Sequence, residues 1–303
     1  MRANLHLQNT ALRYFLEVAD SGSVAEASAR LHVAGSAISR QVASLESALG
    51  VPLFDRHSRG MVLNAAGEVL AAHARRAMLD ADAAVEAIGS LRRLRSGRVR
   101  IACTEAFAHD VLPRAITGFR REHDGIDFEL DLLGHAGIAP ALRNGDADIA
   151  VTFSRAPERD IAVAFRQPGP VVALVGKDHP LARARTLTLA RMASHPLALP
   201  AAGTMVRDMI DLACSRQQLL LRPVLTTNSM GAARGFVLHG GGIAVSGELS
   251  VREVVQAGLM KAIAITDPGL DLRDVQVQTL AGRSLPPAGA AFLAHLCEGL
   301  RAG

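Results

Sequence analysis

Three groups of residues in this 303-residue chain have the types and spacing for chemistry. Ser36, Ser39, Arg40, Gln41 and Ser44 share one side of an amphipathic pattern whose other side carries Ile38, Val42, Leu45 and Leu49. Arginine suits a bidentate grip on guanine, and serine or glutamine reaches base edges and phosphate oxygens, so that face is fitted to nucleic acid. The bare pattern also describes a helical hairpin with a solvated face. His239-Gly240-Gly241-Gly242 looks like an esterase oxyanion loop, but the chain has no GxSxG to supply a nucleophile. Its glycines read instead as a helix stop turning into the strand Ile243-Ala244-Val245. Cys103, Cys214 and Cys297 are far apart and show no CxxC spacing, so neither a disulfide framework nor a zinc site is indicated. They read as small buried hydrophobes ahead of a redox switch, and no metal or cofactor is called for.

The elements that would hold the polar face follow from periodicity and punctuation. Leu5, Leu12, Phe15, Leu16 and Val18 predict a first helix that ends at Asp20-Ser21-Gly22. Ser23-Val24-Ala25-Glu26 predicts a capping box, with the Ser23 hydroxyl on the Glu26 amide and the Glu26 carboxylate on the Ser23 amide. A second helix then runs to about Leu31, and His32-Val33-Ala34-Gly35 makes a tight turn into the amphipathic third. Gly50-Val51-Pro52-Leu53-Phe54 stops that helix, and Asp55 to Leu63 reads as two short strands around a Ser/Arg/Gly turn. Such a hairpin is a wing, with Arg56 and Arg59 placed to meet phosphate. A winged helix-turn-helix over residues 1–63 is the expectation.

Here the residues carry a resemblance. Leu12, Phe15, Val18-Ala19, Ser23, Ala27, Leu31, Ser36 to Val42, Leu45-Glu46, Leu49-Gly50, Leu53-Phe54, Arg56, Leu63 and Ala66-Gly67-Glu68 together resemble the N-terminal signature of LysR-type transcriptional regulators. The resemblance implies promoter DNA as a partner, Ser36, Ser39 and Arg40 on the groove-facing side, and Ser23 and Arg56 near phosphates. It also implies a homodimer or homotetramer and contact with RNA polymerase. Ala34 and Gly35 depart from the Ser and Gln common there, so base readout by the first turn of the helix stays open.

From Asn64, a good N-cap, the chain runs without proline to Pro113, with Leu70, Ala74, Ala77, Ala81, Val85, Ile88 and Leu91 at helical spacing. A helix of about 30 residues spans about 45 Å and needs a partner for its apolar stripe, either a second copy or an intramolecular neighbour. Arg92-Arg93-Leu94-Arg95 favours its C-terminal dipole, and Ser96-Gly97 supplies a hinge, which makes 64–97 a linker and dimerisation segment.

Beyond it, strand-like and helix-like stretches alternate, which predicts βαβ units with parallel sheets. The fold class is α/β overall. Lys177-Asp178-His179-Pro180-Leu181-Ala182 is similar to a turn of the LysR effector domain, which implies a two-lobed fold resembling periplasmic solute-binding (type 2) proteins. On that reading lobe I takes about 98–164 and 269–303, and lobe II about 165–268. By position in the family, Thr104, His135, Thr204 and Asn228 are candidate effector contacts, with Glu105 and Thr152 behind them. Thr204 and Ser229 read equally well as plain helix N-caps. Free helix-start amides and short polar side chains suit a small polar or anionic molecule, while the mixture of Glu, His and Thr leaves its charge open.

The bulk numbers agree with a two-module protein at about 150 residues per module. Residues are 49% hydrophobic and 20% charged, which excludes disorder as the dominant state. Net charge is +4, of which +3 falls in residues 1–98, a bias compatible with nucleic-acid binding. Met1 to Thr10 lacks a signal-peptide core and no run of 18 apolar residues occurs, so a cytoplasmic location away from membranes is expected. The leading expectation is a non-enzymatic, effector-responsive, sequence-specific DNA-binding regulator. A solute-binding transport component and a hydrolase-like enzyme are the alternatives.

Overall fold

A computed structural model describes residues 9–57, 60–90, 96–271 and 273–302. Asn9 caps α1 (Thr10–Ser21) by accepting from the Ala11 amide, so helix one starts there; the Leu5 start lies outside the described residues. Gly22, at φ 75°, ends it in the left-handed conformation that glycine adopts without a Cβ penalty. Helix α2 (Val24–Leu31) is capped by Ser23, whose hydroxyl accepts from the Glu26 amide at 3.1 Å. The reciprocal half of the expected box is replaced, because the Glu26 carboxylate turns to Arg30 at 2.8 Å, an i,i+4 pair on the exposed face.

Helix α3 (Gly35–Leu49) follows, then the antiparallel hairpin β1 (Phe54–His57) and β2 (Gly60–Leu63). Phe15, Val18, Ala27, Ile38 and Leu53 are fully buried between these elements, and Phe15 and Phe54 pack as tilted rings 5.3 Å apart. Leu49 departs from its expected place on the buried face. At the end of α3 it has passed the packed core and is 51% exposed.

The linker helix α4 (Ala65–Ser90) begins where Asn64 Oδ1 accepts from the Gly67 amide at 2.9 Å. Arg92 to Arg95 lie outside the described residues. Ala71 and Ala74 complete the N-terminal core, so the first turns of the linker belong physically to the N-terminal module. Farther along, Leu79 is buried against Gly145, and Asp80 accepts from the Ser284 amide at 3.2 Å. Part of the apolar stripe is therefore covered within the chain.

The remaining residues form two sheets. The first holds β3 (Gly97–Cys103), β4 (Ile126–Leu132), β5 (Ile149–Ser154), β6 (Ile161–Pro168) and β13 (Asp274–Leu280), in the order β4-β3-β5-β13-β6. The second holds β7 (Val171–Gly176), β8 (Thr186–Leu187), β9 (Leu197–Pro200), β10 (Leu225–Thr227), β11 (Ile243–Gly247) and β12 (Met260–Ile265), in the order β10-β9-β11-β7-β12-β8. The expectation of parallel sheets is corrected, because both are mixed. β13 pairs antiparallel with β5 and β6, and β7 pairs antiparallel with β11 and β12. These two strands are the ones delivered by a crossover from the other lobe, which brings each into its sheet from the opposite end. The first crossover falls at Gly169–Pro170, since β6 stays in the first sheet to Pro168, four residues past the lobe limit expected from sequence.

Lobe I is packed with aromatic rings, Phe119, Phe128 and Phe292 meeting at 4.8 to 6.1 Å, whereas the fully buried core residues of lobe II carry no aromatic ring, and only Phe236 packs against them. Buried Asp148 accepts from the Arg100 amide and guanidinium, both at 2.9 Å, and from Arg283 Nη2 at 2.6 Å, tying β3 to the segment after β13. Among the described residues no helix is long and apolar enough to cross a membrane.

Candidate functional site

The first candidate surface is the outer face of α3. Ile38 (0% exposed) and Val42 (4%) hold the helix against α1, which turns Ser36, Ser39, Arg40 and Gln41 outward, all four exposed. No ion pair occupies Arg40 among the described residues. The N-cap of the helix is Ala34, which supplies no side-chain cap, so its first amides are left for another acceptor. The wing is fixed to the same module. The Met61 amide donates to the Gly22 carbonyl at 2.7 Å, and Gly60 sits at φ 134° with that carbonyl 2.7 Å from where a Cβ would stand, so glycine is required there. Arg56 falls in β1 opposite Met61, and Arg59 lies outside the described residues. The Ser23 hydroxyl is engaged in capping α2.

The second candidate is a cleft of about 450 Å³ between the two lobes. All six positions expected from sequence line it: Thr104, Glu105, His135, Thr152, Thr204 and Asn228. Their roles differ. His135 and Asn228 are exposed at the rim, and Thr152 is buried with its hydroxyl donating to the Phe153 carbonyl at 3.2 Å. Thr204 Oγ1 accepts from the Arg207 amide and donates to the Ala201 carbonyl, so it is a helix N-cap that also borders the cleft. Thr104 Oγ1 is buried with no hydrogen-bond partner among the described residues.

Glu105 bridges the lobes. From α5 (Glu105–Ala108) in lobe I, its carboxylate accepts from the Met230 amide at 2.9 Å, the Ser229 hydroxyl at 3.3 Å and the Gly231 amide at 3.4 Å. These donors open the lobe II helix Met230–Leu238, so the acid lies at the positive end of that helix dipole. Ser229 is also the N-cap, accepting from the Ala232 amide at 3.3 Å.

Sequence reasoning missed the floor of the cleft, formed by Ser246, Gly247, Ser250 and Arg273. Arg273 is 3% exposed; its Nε donates to the Gly169 carbonyl at 2.8 Å, and its guanidinium lies 3.6 Å from the Phe153 ring centroid. Burial lowers its pKa to about 10, which leaves it cationic at neutral pH. The Gly169 amide donates back to the Arg273 carbonyl at 3.0 Å, so this residue stitches the two crossovers together. No periodicity points to it. Between Leu270 and Val275 it is one of three charges, with Asp271 and Asp274, so nothing in the local pattern singles it out.

The cysteines are all buried. Burial and, less, Asp131 push the Cys103 thiol up to about 12; burial also raises Cys214 and Cys297. The triple glycine ends the helix Met230–Leu238, with Gly240 at φ 76° and Gly242 at φ 132°, which is the stop read from sequence.

Comparison with known proteins brings the two surfaces together. Residues 10–68 match the model of a bacterial regulatory helix-turn-helix protein of the lysR family, and residues 92–301 match the LysR substrate binding domain. The chain is 32% identical over 285 residues to the transcriptional dual regulator GltC of Bacillus subtilis, covering 93% of each. A full-length OxyR variant from Pseudomonas aeruginosa superposes with a TM-score of 0.66 at 22% identity, over 95% of this chain and 93% of that one. The effector binding domain of QuiR in complex with shikimate gives 0.55 at 20% identity, covering 68% of this chain and 98% of that domain.

Proposed function

This chain belongs to the LysR family of DNA-binding transcriptional regulators, and from that premise we propose how its two surfaces divide the work. The outer face of α3 enters the major groove, with Arg40 and Gln41 at base edges and Ser36 and Ser39 at bases or backbone. Ser23 and the wing residues Arg56 and Arg59 lie against phosphates. The observation that carries this reading is the division of one helix, Ile38 and Val42 buried while Ser36, Ser39, Arg40 and Gln41 stand outward.

A small-molecule effector enters the lobe cleft among Thr104, Glu105, His135, Thr152, Thr204 and Asn228. It acts through unequal affinity for two lobe arrangements, because a ligand that binds both equally shifts nothing. The protein works in the cytoplasm as a homodimer or homotetramer, contacts RNA polymerase at the promoter, and catalyses no reaction. Exposed Val69 and Ile88 on the linker helix support an intermolecular partner for it.

Footprinting of the full chain on its own upstream region, against random DNA at physiological salt, tests the reading. Protection of a discrete site is expected. Equal affinity for random sequence would remove base readout by α3. In the same assay Thr104→Val abolishes the effector-dependent change in the footprint, and an unchanged response takes Thr104 out of the site.

A further inference from the structure

Three buried polar atoms of cleft-lining residues have no hydrogen-bond partner among the described residues: Arg273 Nη2, Ser250 Oγ and Thr104 Oγ1. An unsatisfied guanidinium is the costly one. A buried cation is normally paired with an acid, and among the described residues no carboxylate forms an ion pair with Arg273. Its Nε bond to Gly169 and its stacking on Phe153 fix the plane of the group and leave Nη2 pointing to nothing. A role as a stitch between the crossovers explains Nε and leaves Nη2 without a purpose.

The guanidinium packs directly against the backbone of Gly247. A Cβ on Gly247 would stand 2.5 Å from Arg273 Nη2 and 3.2 Å from Ser250 Oγ, so any larger residue would push the fork and the hydroxyl out of place. Gly247 has φ −80°, which every residue can adopt, so it is the room and not the backbone angle that calls for glycine. The charge of Glu105, the acid of the same cleft, is directed at the Met230 helix and at Ser229. One unmatched cation beside one fixed acid favours a ligand with a single negative charge. The walls at Leu133, Phe153, Met205, Val206 and Val245 favour an organic body over an inorganic ion.

We propose that Arg273, aided by Ser250 and Thr104, is the anion-recognition point of the cleft, and that the effector is an organic monocarboxylate whose apolar part fills the remaining volume. This rests on the reading of the cleft as the effector site. The guanidinium fork accepts a carboxylate in two parallel bonds, and the short hydroxyls complete its lone pairs.

Calorimetric titration of the full-length protein with hexanoate and phenylacetate, with their neutral amides, and with inorganic phosphate tests it. The carboxylates are expected to bind at least about tenfold more tightly than the amides, the size of one charge-assisted hydrogen bond, and more tightly than phosphate. Arg273→Met removes that preference and Arg273→Lys recovers part of it. Because Arg273→Met also loses the stitch to Gly169 and could unfold, Gly247→Ala and Ser250→Ala provide the second test. Neither removes a partner of that bond, and both are expected to reduce the carboxylate preference. Amides binding as well as acids, phosphate binding more tightly than the carboxylates, no carboxylate binding, or a wild-type preference in Gly247→Ala and Ser250→Ala would overturn the proposal. Amide binding that Thr104→Val abolishes would leave the cleft standing as the effector site while refuting its anion preference. Binding of any probe that ignores both Thr104→Val and Arg273→Met would reject the cleft itself.

Discussion

Replacing Glu105 by glutamine tests whether one acid latches the two lobes. In the structure its carboxylate receives three donors from the start of the lobe II helix, two of them backbone amides. Glutamine keeps one acceptor oxygen and turns an NH2 group toward amides that are themselves donors. A charge-assisted hydrogen bond contributes about 1.5–3 kcal/mol and a helix terminus about 0.3–1 kcal/mol. The Glu105 side chain is 27% exposed, so solvent screens part of this, and about 2 kcal/mol is the expected loss. That corresponds to roughly a 30-fold shift toward separated lobes. Nitroxides at Val163→Cys on lobe I and Leu259→Cys on lobe II would report it, since both positions are exposed and the three native thiols are buried. Pulsed distance measurements should show a longer, broader distribution in Glu105→Gln. An unchanged distribution, or a coupling with Ser229→Ala below about 0.5 kcal/mol in a double-mutant cycle, would refute the latch.

Arg40→Ala should weaken operator binding by about 1–3 kcal/mol with the circular dichroism spectrum unchanged; a folded variant binding normally would remove Arg40 from the interface. Asp148→Ala strands Arg283, whose side chain is 1% exposed, and should cost about 3–5 kcal/mol in urea unfolding; a loss under about 1 kcal/mol would show that water or a neighbour takes over the pairing. With its thiol near 12, folded Cys103 has about one thiolate in ten thousand at pH 8 and should resist a disulfide reagent until unfolded. Its reactivity should rise with pH only in the alkaline range, and rapid labelling at neutral pH would contradict the burial argument.

The N-terminal module was legible in sequence because local rules fix it. A cap at Ser23, a glycine stop at Gly22 and the alternation of buried and exposed residues along α3 are short-range facts. The rim and sides of the cleft were reached through family position, which led to Thr104, Glu105, His135, Thr152, Thr204 and Asn228. Its floor was hidden because Arg273 and Gly247 meet through the second crossover, and no local pattern encodes a crossover. Strand β6 is weakly marked in the sequence for a different reason. It is an edge strand with Phe165 as its buried residue, so little hydrophobic alternation marks it. Strand β13 reversed the expected sheet direction because its neighbours are set by which lobe the chain arrives from.

The seat of Leu79 under Gly145, with Asp80 gripping the Ser284 amide, makes the linker helix and lobe I one lever. Gly145, at φ 79°, has no room for a methyl group there, so a bulkier residue would pry the lever apart. In the effector response proposed above, lobe I would stay in step with the N-terminal module, and lobe II would be the free arm. Any surface that lobe II offers to a second protomer would then be where effector binding is first felt.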